Sequence, residues 1–340
     1  SNYFWRVKPS QGSWINTFSF STGSPSYEFA SADVSPVEIV ENNFSENDHG
    51  IIIYGIMDPL YSAAIDLDGN EIWNSGGVDT YLFTSVDSNY SFLGGANLPP
   101  NYNGELGIEF TIEDGMVWSQ PTYGDEADFL QHELIKLPNG NYMGYLITYQ
   151  DHIVPNSDNY LEVPSDFDFS FEDDIPGFDF LDPYPYEWKA EKIVEWDPNG
   201  NEVWSWNPFE HYSLDDFDYL SQFWEFASQS NDPFDWTHFN ALAYDDEENV
   251  VYASSKNLSR ITKIDKNTGD IIWNIGIPWL GDDVIIPDNS SEKLFSGQHG
   301  LQLLDNGNLV FLDNGILSGS FDATNSSKSR AIEIKINEIN

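Results

Sequence analysis

Residues 235–276 read DWTHFNALAYDDEENVVYASSKNLSRITKIDKNTGDIIWNIG, and this stretch decides the fold class. HFNALAY and NVVYASS alternate apolar and polar residues and are parted by the polar DDEEN. RITKID and DIIWNIG follow, parted by KNTG. Period-two alternation interrupted by Asn, Asp and Gly is the signature of short strands joined by hairpins. One such four-stranded unit cannot bury both faces of its own sheet, so it is expected to stack among copies of itself.

Working outward, the same grammar recurs. IIIYGIMDPLYSAAIDLDGNEIWNSGG spans 51–77, and YSFLGG with GIEFTIEDGMVWSQP spans 90–121. HELIKLPNGNYMGYLIT at 132–148 is completed by EKIVEWDPNGNEVWSWNP at 191–208, and QHGLQLLDNGNLVFLDNG covers 298–315. Each unit reads strand, Asn-Gly or Asp-Gly turn, strand, and four of them close on Trp73, Trp118, Trp204 and Trp273. Asn-Gly and Asp-Gly suit the positive φ angles of two-residue hairpin loops. The separation of Trp73 from Trp118 is that of one propeller blade of roughly 40–50 residues.

The expected fold is therefore an all-β, six-bladed β-propeller, with five repeats visible. The last blade is either incomplete or closed by strands from an N-terminal segment, 1–38. The propeller would occupy 39–340, with insertions at 151–188 and 209–234. The first insertion alternates Asp with Phe and Tyr. The second (HYSLDDFDYLSQFWEFASQ) has helix-like apolar spacing. Either could form a lid over one end of the propeller.

The chain has 340 residues, 57 Asp plus Glu against 13 Lys plus Arg, and a formal net charge of −44. A surface of this sign repels nucleic acid and anionic membranes and suits a salty or calcium-containing medium. With 40% hydrophobic and 16% aromatic residues, the chain can still pack a core. There is no cysteine, so disulfides and thiolate metal sites are excluded. No apolar run approaches the roughly 20 residues of a membrane span. The acidic insertion could hold a structural Ca²⁺ through carboxylates, but it lacks the twelve-residue spacing of a calcium loop and reads better as a solvated loop. DLDGN at 66–70 lies between two strands and reads as a hairpin turn.

Of the 6 histidines, three occupy one repeat position: His132 in QHELIKL, His238 in THFNALAY and His299 in QHGLQLL. Each begins the first strand of its unit. First strands line a propeller's central channel, so three imidazoles from distant positions should meet at one end of it. Capping of turns by isolated histidines is the plain alternative. A zinc site is another, since three His with an open position is a catalytic zinc arrangement. His49 precedes a poorly defined unit, and His152 and His211 fall in the insertions.

PFDWTHFNALAY, SSKN, the IDKNTGDIIWNIG segment, QHGLQLLDNGNLVFLDNG and SRAIEIKI together resemble the bacterial arylsulfate sulfotransferase family. HELIKLPNGNYM and EWDPNGNEVWSWNP do so as well. The resemblance covers about 39–340 and is strongest over 130–148 and 191–338. It implies a six-bladed, exported propeller that moves a sulfuryl group from a phenolic sulfate ester to a phenolic acceptor. A sulfohistidine is the intermediate, and neither a nucleotide sulfate donor nor any other cofactor is needed. It further implies His299 as nucleophile, His132 and His238 as its flanking groups, and Asn240 as a polar contact to the sulfuryl oxygens.

The family arginine after the paired serines is replaced here by Lys256, with Arg260 four residues further on and off the motif. A guanidinium grips two oxygens of an oxyanion in a planar fork, whereas an ammonium offers a point charge. The substitution leaves open a catalytically reduced or inactive propeller serving as an extracellular binding or assembly module. The expected partners are small phenols and their sulfates, with no nucleic acid and no membrane insertion. Phe223, Trp224 and Phe226 of the second insertion could stack on an aryl ring or belong to the core.

Overall fold

The computed structural model describes residues 2–5, 18–21, 50–57, 60–75, 80–85, 91–96, 106–111, 114–122, 129–153, 185–218, 232–279, 281–285, 295–316 and 329–336. The chain divides into two compact units, Ser1–Gln120 and Pro121–Asn340.

In the first unit, β1 (Asn2–Trp5) and β2 (Phe18–Ser21) form an antiparallel two-stranded sheet of their own. β3 (Ile51–Met57), β4 (Leu60–Asp66) and β5 (Glu71–Asn74) make a three-stranded meander. β6 (Thr80–Ser85), β7 (Ser91–Ala96), β8 (Leu106–Thr111) and β9 (Gly115–Ser119) make a four-stranded one. Leu82, Phe92, Ile108 and Phe110 form the core here, with Trp73 against Phe110 at 6.1 Å between ring centroids.

In the second unit, β10 (Leu130–Lys136), β11 (Tyr142–Ile153), β12 (Pro185–Trp196) and β13 (Glu202–Trp206) form one sheet, with β14 (Phe234–Asp235) parallel to β12. β15 (Phe239–Asp245), β16 (Val250–Ser255), β17 (Arg260–Asp265) and β18 (Ile271–Gly276) form the next, which is the 235–276 stretch folded as its alternation requires. β19 (His299–Leu303), β20 (Leu309–Asp313) and β21 (Arg330–Ile334) form the last. First strands neighbour one another, β10 beside β15 and β15 beside β19.

The fold is an all-β propeller type, and the described residues form five blade sheets instead of the expected six. The expected count had left room for strands from 1–38 in a further blade. β1 and β2 instead satisfy each other's backbone groups in a separate pair, and the β3–β5 and β19–β21 sheets stop at three strands.

The turns also differ from expectation. Asp66 N–H donates to Asn70 O and Gly69 N–H to Asp66 O, each at 3.0 Å, so the loop has three residues, 67–69. The same pattern recurs at 138–140, 198–200 and 305–307. This is a type I turn followed by a left-handed glycine, with φ of 79°, 88°, 83° and 80° at Gly69, Gly140, Gly200 and Gly307. At two of them the leading Asp also accepts backbone N–H groups. Asp66 Oδ1 takes those of Asp68 and Asn70, and Asp197 Oδ1 those of Asn199 and Asn201. The side-chain amides of Asn70 and Asn201, which donate to Asp66 and Asp197, and then these backbone bonds hold both carboxyls below the usual carboxylate range. DLDGN is thus a hairpin turn.

The first insertion is partly strand. β11 and β12 stay paired from Tyr142↔Trp196 to Ile153↔Pro185, so 151–153 and 185–188 are the end of one long hairpin. Residues 154–184, with most of the acidic alternation and its suggested Ca²⁺ loop, lie outside the described residues. The second insertion opens with the short helix α1 (Pro208–His211), whose first turn is capped by Asn207 accepting from Phe209 N–H. Phe223, Trp224 and Phe226, with the rest of 219–231, lie outside the described residues. Among the described residues, no helix is long and apolar enough to cross a membrane.

The core of the second unit is aromatic, with Trp188, Trp206, Trp236, Tyr212 and Phe239 buried together. Against it lies a buried charge network. The Arg260 guanidinium bonds Asp216 and, at 2.9 Å, Asp282, and it covers the Tyr212 ring at 5.2 Å. Asp216 also accepts the N–H groups of Gly281 and Asp282. Arg260 therefore ties 212–218 to 281–282. Removing one partner of such a network leaves carboxylates buried without compensation. Arg260→Met should lower the unfolding free energy by about 3–5 kcal/mol in denaturant titration; a change within ~0.5 kcal/mol would show that the network contributes little.

Candidate active site

Three histidines of the second unit converge. Nε2 of His132 lies 3.1 Å from Nε2 of His238, with ring centroids 5.1 Å apart. The His299 ring meets that of His132 edge-on at 6.3 Å. Their strands, β10, β15 and β19, are consecutive neighbours, which is how residues distant in sequence come together.

Local backbone aims the rings. His132 and His238 occupy the left-handed region, at φ 58° and 47°. Such conformations cost non-glycine residues of order 1–3 kcal/mol and persist only where surroundings enforce them. Each first strand also slips register at or just beyond its histidine, between Leu130 and Leu134, Phe239 and Ala241, and His299 and Gln302. Bulges of this kind re-aim side chains next to functional sites.

Hydrogen bonds then set the tautomers. His238 Nδ1 is 2.5 Å from Asp235 Oδ2, and a carboxylate there requires a proton on Nδ1. In the neutral ring, Nε2 of His238 therefore accepts from His132 Nε2–H. Adding a proton to the pair leaves one hydrogen between the two Nε2 atoms and puts the other on His132 Nδ1. His299 Nδ1 is 2.9 Å from the Gly297 carbonyl, which only accepts. Donation to that carbonyl puts the proton on Nδ1 and opens the Nε2 lone pair to attack, whereas acceptance from Asn314 Nδ2 would put the proton on Nε2. Asn314 Nδ2 donates to the same carbonyl at 2.7 Å and sits 2.9 Å from His299 Nδ1, bracing the ring.

Charge is concentrated beneath the cluster. Asp235 is paired with Lys189 at 3.3 Å as well as with His238. Burial alone would raise the Asp235 carboxyl, but these two partners hold it below its ordinary value. Lys256 follows β16, and its backbone N–H donates to the His238 carbonyl at 3.1 Å. Its ammonium is close enough to His132 and His299 to oppose their protonation. Burial lowers its own pKa, against the pull of Asp235. Burial pushes Glu133 up to about 8, and burial with the nearby Asp235 pushes Glu191 up to about 7. Both therefore carry less negative charge at neutral pH than surface carboxylates do.

Of the expected substrate contacts, Asn240 is buried and donates Nδ2–H to the Gln298 carbonyl at 2.6 Å, so it holds the residue before His299. Arg260 is not brought to the histidines, because its guanidinium is engaged with Asp216 and Asp282. Asp235, Lys189, Glu191 and Asn314 are site residues that the sequence reading missed. The Asp three residues before His238 in DWTH was a usable signal, and Asn314 was hidden in what read as an ordinary Asn-Gly turn. Lys189 and Glu191 carry no motif. Among the described residues, no group of three or more His, Asp or Glu side chains is arranged to hold a metal ion.

An all-β propeller type carrying a braced histidine cluster beside buried lysines is a class of enzyme-like site. Residues 184–340, which include Asp235, His238, Lys256 and His299, match the family model described as Arylsulfotransferase (ASST), so this part of the chain is similar to that family. His132 lies outside the matched segment, and its place in the cluster rests on the geometry. No curated protein matches the chain.

Among solved structures, the WD40 β-propeller domain of Doa1 is similar at 10% identity and TM-score 0.36, covering 77% of this chain and 57% of that one. The hydrazine synthase of Kuenenia stuttgartiensis is similar at 11% and 0.37, covering 82% and 66%. A putative 6-phosphogluconolactonase from Bacteroides fragilis NCTC 9343 is similar at 10% and 0.31, covering 96% and 89%. The chain thus spans less than two thirds of the first two, and likeness at these scores carries no argument about function.

His132 should be hard to protonate. The protein packed around it pushes its pKa down to about 4, and positive charge on His238, His299 and Lys256 adds to this while Asp235 opposes it. Because the folded value lies below the ordinary 6.5, the unfolded chain binds more protons between about 4 and 6.5. This group's contribution to stability therefore falls as pH drops through that window. A histidine NMR titration should place His132 near the lower limit; a midpoint close to 6.5 would contradict the arrangement.

Proposed function

We propose that the chain is an aryl-sulfate sulfotransferase that moves a sulfuryl group from a phenolic sulfate ester to a phenolic acceptor through a sulfohistidine at His299, without a nucleotide donor. The observation that carries this reading is the meeting of three imidazoles beside Lys256, two of them (His238 and His299) in a segment of arylsulfotransferase type. Burial lowers the pKa of His299, although its bond to Gly297 opposes the shift, which favours the neutral ring; in the tautomer that donates Nδ1–H to Gly297, Nε2 is the nucleophile.

In the first half-reaction the Nε2 lone pair attacks sulfur. The N–S bond forms as the S–O bond to the donor breaks, and the departing phenolate takes a proton from the His238–His132 pair in its singly protonated, cationic form, leaving both rings neutral. In the second half, the acceptor phenol returns a proton to that pair and its oxygen attacks sulfur. The N–S bond then breaks, and His299 is regenerated. Lys256 stabilises the charge that gathers on the sulfuryl oxygens. Partial protonation of Glu133 and Glu191 lowers local repulsion of an anionic substrate in an acidic protein. Export to the periplasm or exterior belongs to this proposal through the family resemblance.

Incubation with an aryl sulfate, followed by peptide mass spectrometry, should yield a sulfonated His299 peptide, and His299→Ala should abolish both adduct and turnover. An unmodified peptide, with the variant as active as the parent chain, would refute the transfer mechanism.

One observation favours the reduced or inactive propeller: the guanidinium nearest the motif position in sequence, that of Arg260, is committed to Asp216 and Asp282. If the ammonium serves as the anion contact, Lys256→Met should lower kcat/KM by roughly 10²–10³-fold, and Lys256→Arg should preserve or raise it. Absence of turnover in the parent chain and in both variants would favour the binding module.

A further inference from the structure

We propose that Glu191 is a positioning residue, fixing the strained backbone of His238 by accepting hydrogen bonds from both of its neighbours. This assignment rests on the transfer reading for its catalytic consequence and on geometry alone for its structural one. Oε2 of Glu191 accepts from Thr237 Oγ1–H at 2.7 Å and from Phe239 N–H at 2.7 Å. Residues 237 and 239 flank His238, which holds φ 47°. One carboxyl oxygen thus pins the chain on either side of the distorted residue.

Glu191 is 1% exposed and sits on β12, in the middle of its sheet. Thr237 is tied again from its carbonyl, which accepts from Ser255 Oγ–H at 2.6 Å, and Ser255 immediately precedes Lys256. Lys189, two residues before Glu191 on the same strand, holds Asp235, which holds the His238 ring. β12 therefore fixes His238 twice, through its backbone by Glu191 and through its ring by Lys189 and Asp235.

Both bonds fall on a single oxygen acting only as acceptor. A protonated carboxyl can accept them through its carbonyl oxygen, as can the amide oxygen of glutamine. The pKa of about 7, raised by burial first and by Asp235 second, is consistent with a group whose acceptor geometry matters more than its charge.

The test compares Glu191→Ala, Glu191→Gln and Thr237→Val in the full chain. Two readouts are needed: the downfield NMR signal of the His238 Nδ1 proton shared with Asp235, and steady-state kinetics with an aryl sulfate. Alanine should abolish the Nδ1 signal and lower kcat by about 10–100-fold with little change in KM. Glutamine should restore the signal and most of the rate, and Thr237→Val should give an intermediate loss. An alanine variant with an unaltered signal and rate would overturn the proposal. So would glutamine as damaging as alanine, since charge would then be the operative property. If the alanine variant does not fold, Thr237→Val and Glu191→Gln decide the matter in the same way. If the parent chain has no aryl-sulfate turnover, the transfer reading fails, and the NMR comparison alone still tests the role of Glu191.

Discussion

The site depends on two histidines held in a backbone conformation that histidine does not choose. At positive φ the Cβ crowds its own backbone, and the chain leaves that region unless neighbouring bonds forbid it. Here the bulged first strands turn His132 and His238 toward one another, and adjacency of β10, β15 and β19 adds His299. An Nε2–Nε2 separation of 3.1 Å lets one N–H bridge the first pair.

Around this cluster, a strongly acidic protein builds a local field of different character. Lys189 and Lys256 are partly buried close by, and Asp235 is occupied by a lysine and a histidine. Glu133 and Glu191 are driven toward their neutral forms because burial disfavours the charged carboxylate. The net charge of the chain therefore describes its solubility and its avoidance of polyanions, while a small anion at the histidines meets lysines first.

The fate of Arg260 shows how a charge near a motif can serve the fold instead. Its side chain is wholly buried against Asp216 and Asp282 and lies on Tyr212, joining the start of the second insertion to the segment after β18. A guanidinium with these partners cannot also grip a substrate. The cationic contact to the histidines falls to Lys256, whose backbone is bonded to that of His238.

Alternating apolar residues, Asp/Asn-Gly turns and repeating tryptophans determined an all-β chain of meander sheets, because strand periodicity and left-handed glycines are local properties that a sequence displays directly. The equivalence of His132, His238 and His299 was legible for the same reason, since each stands at one position of a repeat. Loop length was not, because a three-residue turn and a two-residue turn use the same Asn-Gly pair and differ only in which backbone groups bond. Blade number depended on which strands found partners, a matter of pairing between distant segments. Only the tertiary structure decided that Asp235 orients His238, that Glu191 and Lys189 support it from another strand, that Asn314 braces His299, and that Arg260 is spent on buried aspartates. Each of these is a contact between residues whose sequence positions carry no record of their distance in space.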